Sequence, residues 1–214
     1  MLIKILKSLI PPIFFIIKAK INEKFDDPNV LFEGDDTLFK NSLKKITLYG
    51  EYGCGKSTKW VLNNTAAMVV SVDTSSEWVK EVQSDNVDNN HRLEINYVNL
   101  GNIGNWGLPI DYSKQDRFSV YTDYIWQQKE KPSVVLIDGR FRVCCFLSSL
   151  KFAEEGTKII FDDYTDRPHY HFVEKYVSRE IECGRQCLFV VPEKSKINFD
   201  ELEEDINLFR YVMD

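Results

Sequence analysis

The sequence predicts an α/β fold, with a mostly parallel sheet flanked by helices. Three observations carry that prediction. Short β-prone runs alternate with longer stretches of helical pattern, as successive βαβ units require. Glu51, Asp73, Asp138, Asp162 and Asp163 all fall at the ends of such runs, so five carboxylates share one rim. The 214 residues, 43% hydrophobic and 28% charged, suffice for one domain with a well-buried core. Ligands of open α/β sheets bind beyond the carboxyl ends of the strands, which makes that acidic rim the candidate site.

The elements follow in order. Ile46–Tyr49 is a short β-prone run, and a helix starts at Ser57 and continues to Asn63. Met68–Val72 is β-rich and ends at Asp73. Ser75–Val82 has a helical pattern, with Thr74 or Ser75 as its cap. A third strand is expected over Ile95–Leu100, followed by a loop rich in Gly and Asn, then a helix over Gln115–Gln128. Val134–Ile137 reads as a buried strand ending in Asp138, and Phe141–Phe152 as a helix. Lys158–Phe161 is a strand ending in Asp162-Asp163, His169–Ser178 a helix, and Cys187–Val191 the last clear strand. Asp200–Tyr211 has the pattern of a terminal amphipathic helix.

Residues 1–31 read as a separate apolar and basic segment ahead of a domain spanning 32–214. Leu2–Ile17 is apolar, with Lys4, Lys7 and Lys18 interspersed and Pro11-Pro12 in the middle. No small-residue cleavage site follows it. Its unbroken apolar run is far short of the ~20 residues a membrane-spanning helix needs. Two readings remain: a helix packed on the domain or on a second subunit of a homo-oligomer, or an interfacial anchor through residues 2–20. With 27 basic and 33 acidic residues, the net charge of −6 argues against a general phosphate-backbone binder and leaves room only for a local basic patch. Five cysteines without paired C-x-x-C elements argue against a zinc site and for a reducing, cytoplasmic setting, peripheral on the membrane if the anchor reading holds.

The stretch Gly50-Glu51-Tyr52-Gly53-Cys54-Gly55-Lys56-Ser57 has two readings. It matches G-x-x-x-x-G-K-[ST], in which backbone amides cradle phosphates, Lys56 reaches the β/γ-phosphates and Ser57 holds Mg²⁺. That reading gives a P-loop NTPase or small-molecule kinase. The same residues also read as an acidic residue and two glycines between a strand and its helix, where glycine lets a ligand approach the backbone closely. Asp73, 20 residues after Gly53, decides between them. A carboxylate there hydrogen-bonds the ribose hydroxyls of a nucleoside, which a P-loop does not need. A module that binds a nucleoside cofactor without catalysis is a third reading.

Several motifs together resemble a known group: Glu51–Thr58, Ser71-Val72-Asp73 with Glu77-Trp78, Trp106-Gly107-x-Pro109, Leu136–Arg142, and Phe161–Tyr164 continuing through Tyr170, Val173 and Glu174. They look like the class I S-adenosylmethionine-dependent methyltransferase-like proteins common in polysaccharide gene clusters. The resemblance spans roughly Phe32 to Val191. It implies a Rossmann-like fold and S-adenosylmethionine as cofactor, held by Glu51, Gly53, Gly55, Ser57, Asp73 and Asn99. It also implies a small-molecule or glycan acceptor, with a sugar hydroxyl as the methylated group.

The later motifs are also similar to those of metal-dependent O-methyltransferases acting on sugars and catechols. The resemblance places Mg²⁺ on Asp138, Asp162 and Asp163. The residues themselves agree, because three clustered carboxylates repel unless a proton or a cation lies between them, and oxygen ligands suit Mg²⁺ or Ca²⁺. One departure is clear. The sugar enzymes carry an acidic base two residues after the strand-four Asp, whereas this chain has Arg140, which cannot accept a proton. Asp138, Arg140 and His169 are therefore the expected catalytic groups, with His171 an alternative base. Arg140 or Arg142 is expected to steer an anionic acceptor or to pair with Asp163. Trp78, Trp106 and Tyr164 are candidate walls or a sugar platform.

Overall fold

A computed structural model describes residues 30–32 and 35–214. The apolar and basic segment at residues 2–20 lies outside them. Five strands run parallel: β1 (Leu48–Tyr52), β2 (Met68–Asp73), β3 (Leu93–Tyr97), β4 (Val134–Ile137) and β5 (Lys158–Phe161). A hairpin of β6 (Ile181–Cys183) and β7 (Gln186–Val190) adds to the β5 edge, with β7 antiparallel to β5. The sheet order is β3-β2-β1-β4-β5-β7-β6. The order reverses between β1 and β4, the topological switch point at which such sheets form a crevice.

Period-two patterning explains why both faces are covered. In β4, Val134 and Leu136 face one apolar cluster while Val135 and Ile137 face the other. The first cluster includes Val61 and Leu62 of α2 (Lys56–Asn64), together with Leu38 and Phe39 of α1 (Thr37–Ser42). The second takes in Phe118 and Tyr121 of α4 (Phe118–Asp123), most of α5 (Arg142–Phe152), and Leu202 and Ile206 of α6 (Phe199–Phe209). Every residue of α5 from Arg142 to Leu150 is buried, so this helix is packed all round. Each large apolar side chain buried there contributes about 1.5–3 kcal/mol. α3 (Ser76–Asp85) starts on Ser75, whose hydroxyl accepts from Trp78 N at 3.3 Å, in line with the cap expected from the sequence.

The fold class holds, and the differences are local. β1 lies two residues later than the β-prone run suggests, because Gly50 and Glu51 belong to the ladder, opposite Val70 and Ser71. Glycine is needed at position 50, since a Cβ there would meet the Pro132 ring at 2.9 Å. β3 ends at Tyr97 rather than Leu100. The expected helix over 115–128 is broken into a 3₁₀ turn, α4 and a second 3₁₀ turn. The expected helix over 169–178 is a 3₁₀ segment, Pro168–Lys175. α1 and β6 were not expected.

Candidate active site

A cleft of about 690 Å³ opens over the carboxyl ends of β1, β2, β4 and β5. That is ample for a nucleoside-sized ligand beside a second molecule, within the roughly 300–1,000 Å³ typical of ligand pockets. Its floor is formed by the turns after these strands. Val30–Phe32, Trp78 and Trp106 stand at its rim.

Only residues 53–55 separate β1 from α2. Gly53 has φ +88°, and its N–H donates to Val72 O at 2.9 Å. A Cβ on Gly53 would press on Asp138 O and the Gly139 backbone at 3.0 Å. A Cβ on Gly139 would come within 2.8 Å of Gly53 N and 2.1 Å of the Tyr121 hydroxyl. The turns after β1 and β4 therefore touch backbone to backbone, which only two glycines permit. The arrangement aims the first-turn amides of α2 into the cleft, an end that favours an anionic group.

Glu51 has no exposed surface. It accepts hydrogen bonds from Tyr49 Oη (3.0 Å), Thr58 Oγ1 (2.5 Å) and Ser57 Oγ. Burial pushes its carboxyl up to about 7, against the pull of those three hydroxyls. It thus anchors the first turn of α2 from beneath and reaches the cleft only through Ser57, which does line it. This geometry removes the support for a P-loop. Gly50 is inside a central strand, the turn is too short to curl round a polyphosphate, and the Ser57 hydroxyl is engaged by Glu51.

Asp73 lines the cleft at the end of β2. Its carboxylate accepts from Cys54 N at 2.7 Å and Ser75 N at 2.6 Å. Burial raises its pKa, and the two amides oppose that rise. Beside it, Thr74 Oγ1 donates to Gly107 O at 2.7 Å, tying down the turn that carries Trp106. Trp106 is left-handed at φ 59° and 77% exposed, so its ring is held out over the rim rather than packed in the core. Asn99 is not part of the cleft. Because β3 ends early, Asn99 sits in the following turn, exposed, its Oδ1 accepting from Gly101 N at 2.9 Å.

Asp138, Asp162 and Asp163 do converge, each offering an oxygen within 4.8 Å of the others. They converge on arginines. Arg142 is 3% exposed and contacts Asp138 Oδ1 at 3.1 Å and Asp163 Oδ2 at 3.2 Å. It also donates to Gly139 O at 3.1 Å and Asp162 O at 2.8 Å. Arg185 reaches both oxygens of Asp162, at 3.1 and 2.5 Å, and Asp163 Oδ1 at 3.2 Å. Arg167 contacts Asp163 Oδ2 at 2.7 Å. The expected pairing of Arg142 with Asp163 is thus present, but the expected Mg²⁺ cage is not. Asp138 Oδ1 and both oxygens of Asp162 and of Asp163 already face guanidinium N–H groups, so the residues do not fit a divalent cation.

His169 is exposed with its ring against Tyr170, 4.3 Å between centroids, and lies away from the cleft lining. His171 stacks on Tyr164 at 4.7 Å, with Nε2 3.2 Å from Tyr164 O, and also lies outside that lining. Both histidines sit on the 3₁₀ segment that Pro168 starts, and the cleft lining includes neither of them. Tyr164 is likewise core rather than platform. Asp138 and Arg140 do line the cleft. The Asp138 side chain is about a third exposed. Burial and the adjacent Asp162 push its pKa well above the usual carboxylate range, while Arg142 opposes them.

Arg167 and Arg185 escaped the sequence reading. Arg167 stands four residues after Asp163, a visible spacing. Arg185 is placed by the antiparallel β5–β7 register, which pairs Phe161 with Cys187 and carries residue 185 alongside 163. Tyr121, whose hydroxyl accepts from Arg140 N at 3.0 Å, has no sequence signal of its own.

Known structures share this architecture. A methyltransferase-like protein from Silicibacter pomeroyi superposes with a TM-score of 0.73 and 27% identity, over 84% of this chain and 95% of that one. A methyltransferase from Geobacter sulfurreducens gives 0.54 and 13%, over 88% and 94%. Cofactor-bound Rv0187 from MTB gives 0.50 and 14%, over 82% and 89%. No family model matches the sequence, and no curated protein is matched by it. The fold is therefore the Rossmann-like fold of class I methyltransferases.

Proposed function

We propose that the protein is an S-adenosylmethionine-dependent O-methyltransferase acting on a sugar hydroxyl of a glycan or glycan precursor. The observation that carries this reading is the pairing of the Gly53–Gly139 contact with Asp73 at the end of the neighbouring strand. The contact sits at the switch point between β1 and β4, and Asp73 ends the next strand, β2, in a fold shared with a methyltransferase-like protein.

When bound, S-adenosylmethionine supplies an already activated methyl group, so the chain's own work is alignment and proton removal. The first-turn amides of α2, supported by Ser57 and Glu51, hold the cofactor's carboxylate. Asp73 accepts from the ribose hydroxyls with the lone pairs its two amide donors leave over. Gly53 and Gly55 let the cofactor lie against the backbone, and Trp78 and Trp106 exclude water at the rim. Asp138 would take the acceptor hydroxyl's proton as the oxygen–methyl bond forms and the methyl–sulfonium bond breaks, with S-adenosylhomocysteine as the leaving product. The raised pKa of Asp138 moves it toward the range in which a general base works. No step passes through a metal.

Calorimetry of the purified protein against S-adenosylhomocysteine and against ATP-Mg tests this. S-adenosylhomocysteine should bind in the micromolar range, about −8 kcal/mol, and ATP-Mg far more weakly. Tighter ATP binding, abolished by Lys56→Ala, would refute the reading.

We also propose that residues 2–20 hold the enzyme on the cytoplasmic face of a membrane, or else against a second subunit. Among the described residues no helix is long and apolar enough to cross a membrane. Lys4, Lys7, Lys18 and Lys20 would each gain about 1 kcal/mol near an anionic surface. Deleting the residues before Asn22 should release the protein from anionic liposomes and leave cofactor binding intact. Loss of an oligomer instead would assign the segment to a subunit contact.

A further inference from the structure

We propose that the arginines at the β4–β5 end of the cleft take the place of a divalent cation, and that Arg140 receives an oxyanion carried by the acceptor. The inference rests on the methyltransferase reading only in assigning the ligand to the acceptor.

The carboxylates show why no cation fits. Asp162 Oδ1 is held by Arg185 Nε and Gln186 Nε2, both at 3.1 Å, and Asp162 Oδ2 by Arg185 Nη2 at 2.5 Å. Asp163 has Arg185 on one oxygen and Arg142 with Arg167 on the other. Asp138 Oδ1 meets Arg142. A Mg²⁺ ion needs oxygen ligands at about 2.0–2.1 Å in octahedral array. Here guanidinium N–H donors already face five of the six carboxylate oxygens, and displacing them would strand the buried Arg142 guanidinium without its partners. Three arginines, 142, 167 and 185, already supply the positive charge that the cluster requires.

Arg140 is the fourth. It follows Gly139 directly, its backbone N–H is fixed on Tyr121, and its half-buried side chain lines the cleft. Among the described residues its guanidinium makes no hydrogen bond or ion pair. Four arginines line this end of the cleft, and Arg140 alone among them has no carboxylate at ion-pair distance among the described residues. A low-dielectric cleft strengthens the pull of such an uncommitted charge on an anion. The planar fork of arginine matches carboxylate and phosphate in bidentate fashion. Asp73 stands at the end of β2, with β1 between it and the β4 turn that carries Arg140, so the oxyanion is assigned to the second ligand. That makes the acceptor an acidic sugar or a sugar phosphate in preference to a neutral one.

The test uses the full-length protein saturated with S-adenosylhomocysteine. Manganese chloride, sodium phosphate and sodium malonate are titrated separately at constant ionic strength and followed by calorimetry and melting temperature. Manganese should show no saturable binding. Phosphate or malonate should bind saturably, and the tighter of the two distinguishes a phosphate-bearing from a carboxylate-bearing acceptor. Arg140→Gln should weaken that binding roughly tenfold or more, with S-adenosylhomocysteine affinity unchanged. Stoichiometric manganese binding lost in Asp163→Asn would overturn the proposal. So would the absence of a saturable anion effect, or an anion effect that survives Arg140→Gln and disappears in Lys56→Ala. If S-adenosylhomocysteine itself does not bind, the methyltransferase reading fails, while the manganese and anion titrations repeated without it still decide the charge assignment.

Discussion

Replacing Arg142 with Met isolates the charge network, because Met keeps most of the aliphatic volume against Tyr170 while removing every donor. The substitution strips partners from Asp138, Asp163 and the carbonyls of Gly139 and Asp162. Breaking a buried ion pair from one side costs about 3–5 kcal/mol. Asp138 is about a third exposed and Arg185 and Arg167 still serve Asp163, so the lower end applies. A loss of about 3 kcal/mol in a chain of this size lowers Tm by about 6–12 °C. The loss should also depend on pH. Arg142 holds the Asp138 pKa down, so its removal raises that pKa further in the folded state. A carboxyl whose folded pKa exceeds its unfolded value binds protons more tightly when folded, so stability falls as pH rises above about 4. Scanning calorimetry at pH 5 and pH 8 should therefore show the larger deficit at pH 8. A Tm drop below about 2 °C, equal at both pH values, would refute the reasoning.

Other perturbations read other parts of the site. Glu51, raised to about 7 from 4.5, should cost the fold stability progressively between those pH values. The full effect is on the order of 3 kcal/mol, and Glu51→Gln should flatten that slope in denaturant titrations across pH 4–8. Asp73→Asn keeps one acceptor oxygen but turns an NH₂ toward a backbone N–H. S-adenosylhomocysteine affinity should fall roughly tenfold to a hundredfold by calorimetry, with a measurable Tm loss from Cys54 and Ser75. Gly139→Ala forces a methyl onto backbone of the β1 turn and should destabilise by about 1–3 kcal/mol or more, read as a lower Tm even without ligand.

The alternation of strand and helix was legible because β2, β4 and β5 are short apolar runs bounded by acidic residues, a local signal. β1 was displaced because its second half, Gly50 and Glu51, looks like loop by composition. Gly50 is a strand residue through its pairing with Val70 and Val135, and Pro132, far away in sequence, is what requires glycine there. Gly53, Gly55, Ser57, Asp73, Asp138 and Arg140 were picked out by local motif, and all of them line the cleft. The candidates that fall outside that lining depend on tertiary register. His169 lies on the 3₁₀ segment after β5 and outside the cleft lining, and Asn99 lies two residues past the end of β3. The arginine clasp was half visible. Arg142 and Arg167 are spaced i, i+4 from Asp138 and Asp163, whereas Arg185 depends on an antiparallel strand that no local pattern announces.

The contact of Gly53 with Gly139 also constrains how the pocket can move. With no side chain between them, the two turns form a single seam, and the strands beneath are hydrogen-bonded neighbours in the ladder. The floor cannot spread to admit a ligand without breaking the ladder itself, and densely packed interiors do not deform by degrees. Traffic must then pass over the rim, where Trp106 stands on a turn tied by Thr74 and where residues 30–32 run past the opening. The seam fixes the distance between the two halves of the floor, and the rim is left to set how long anything bound there stays.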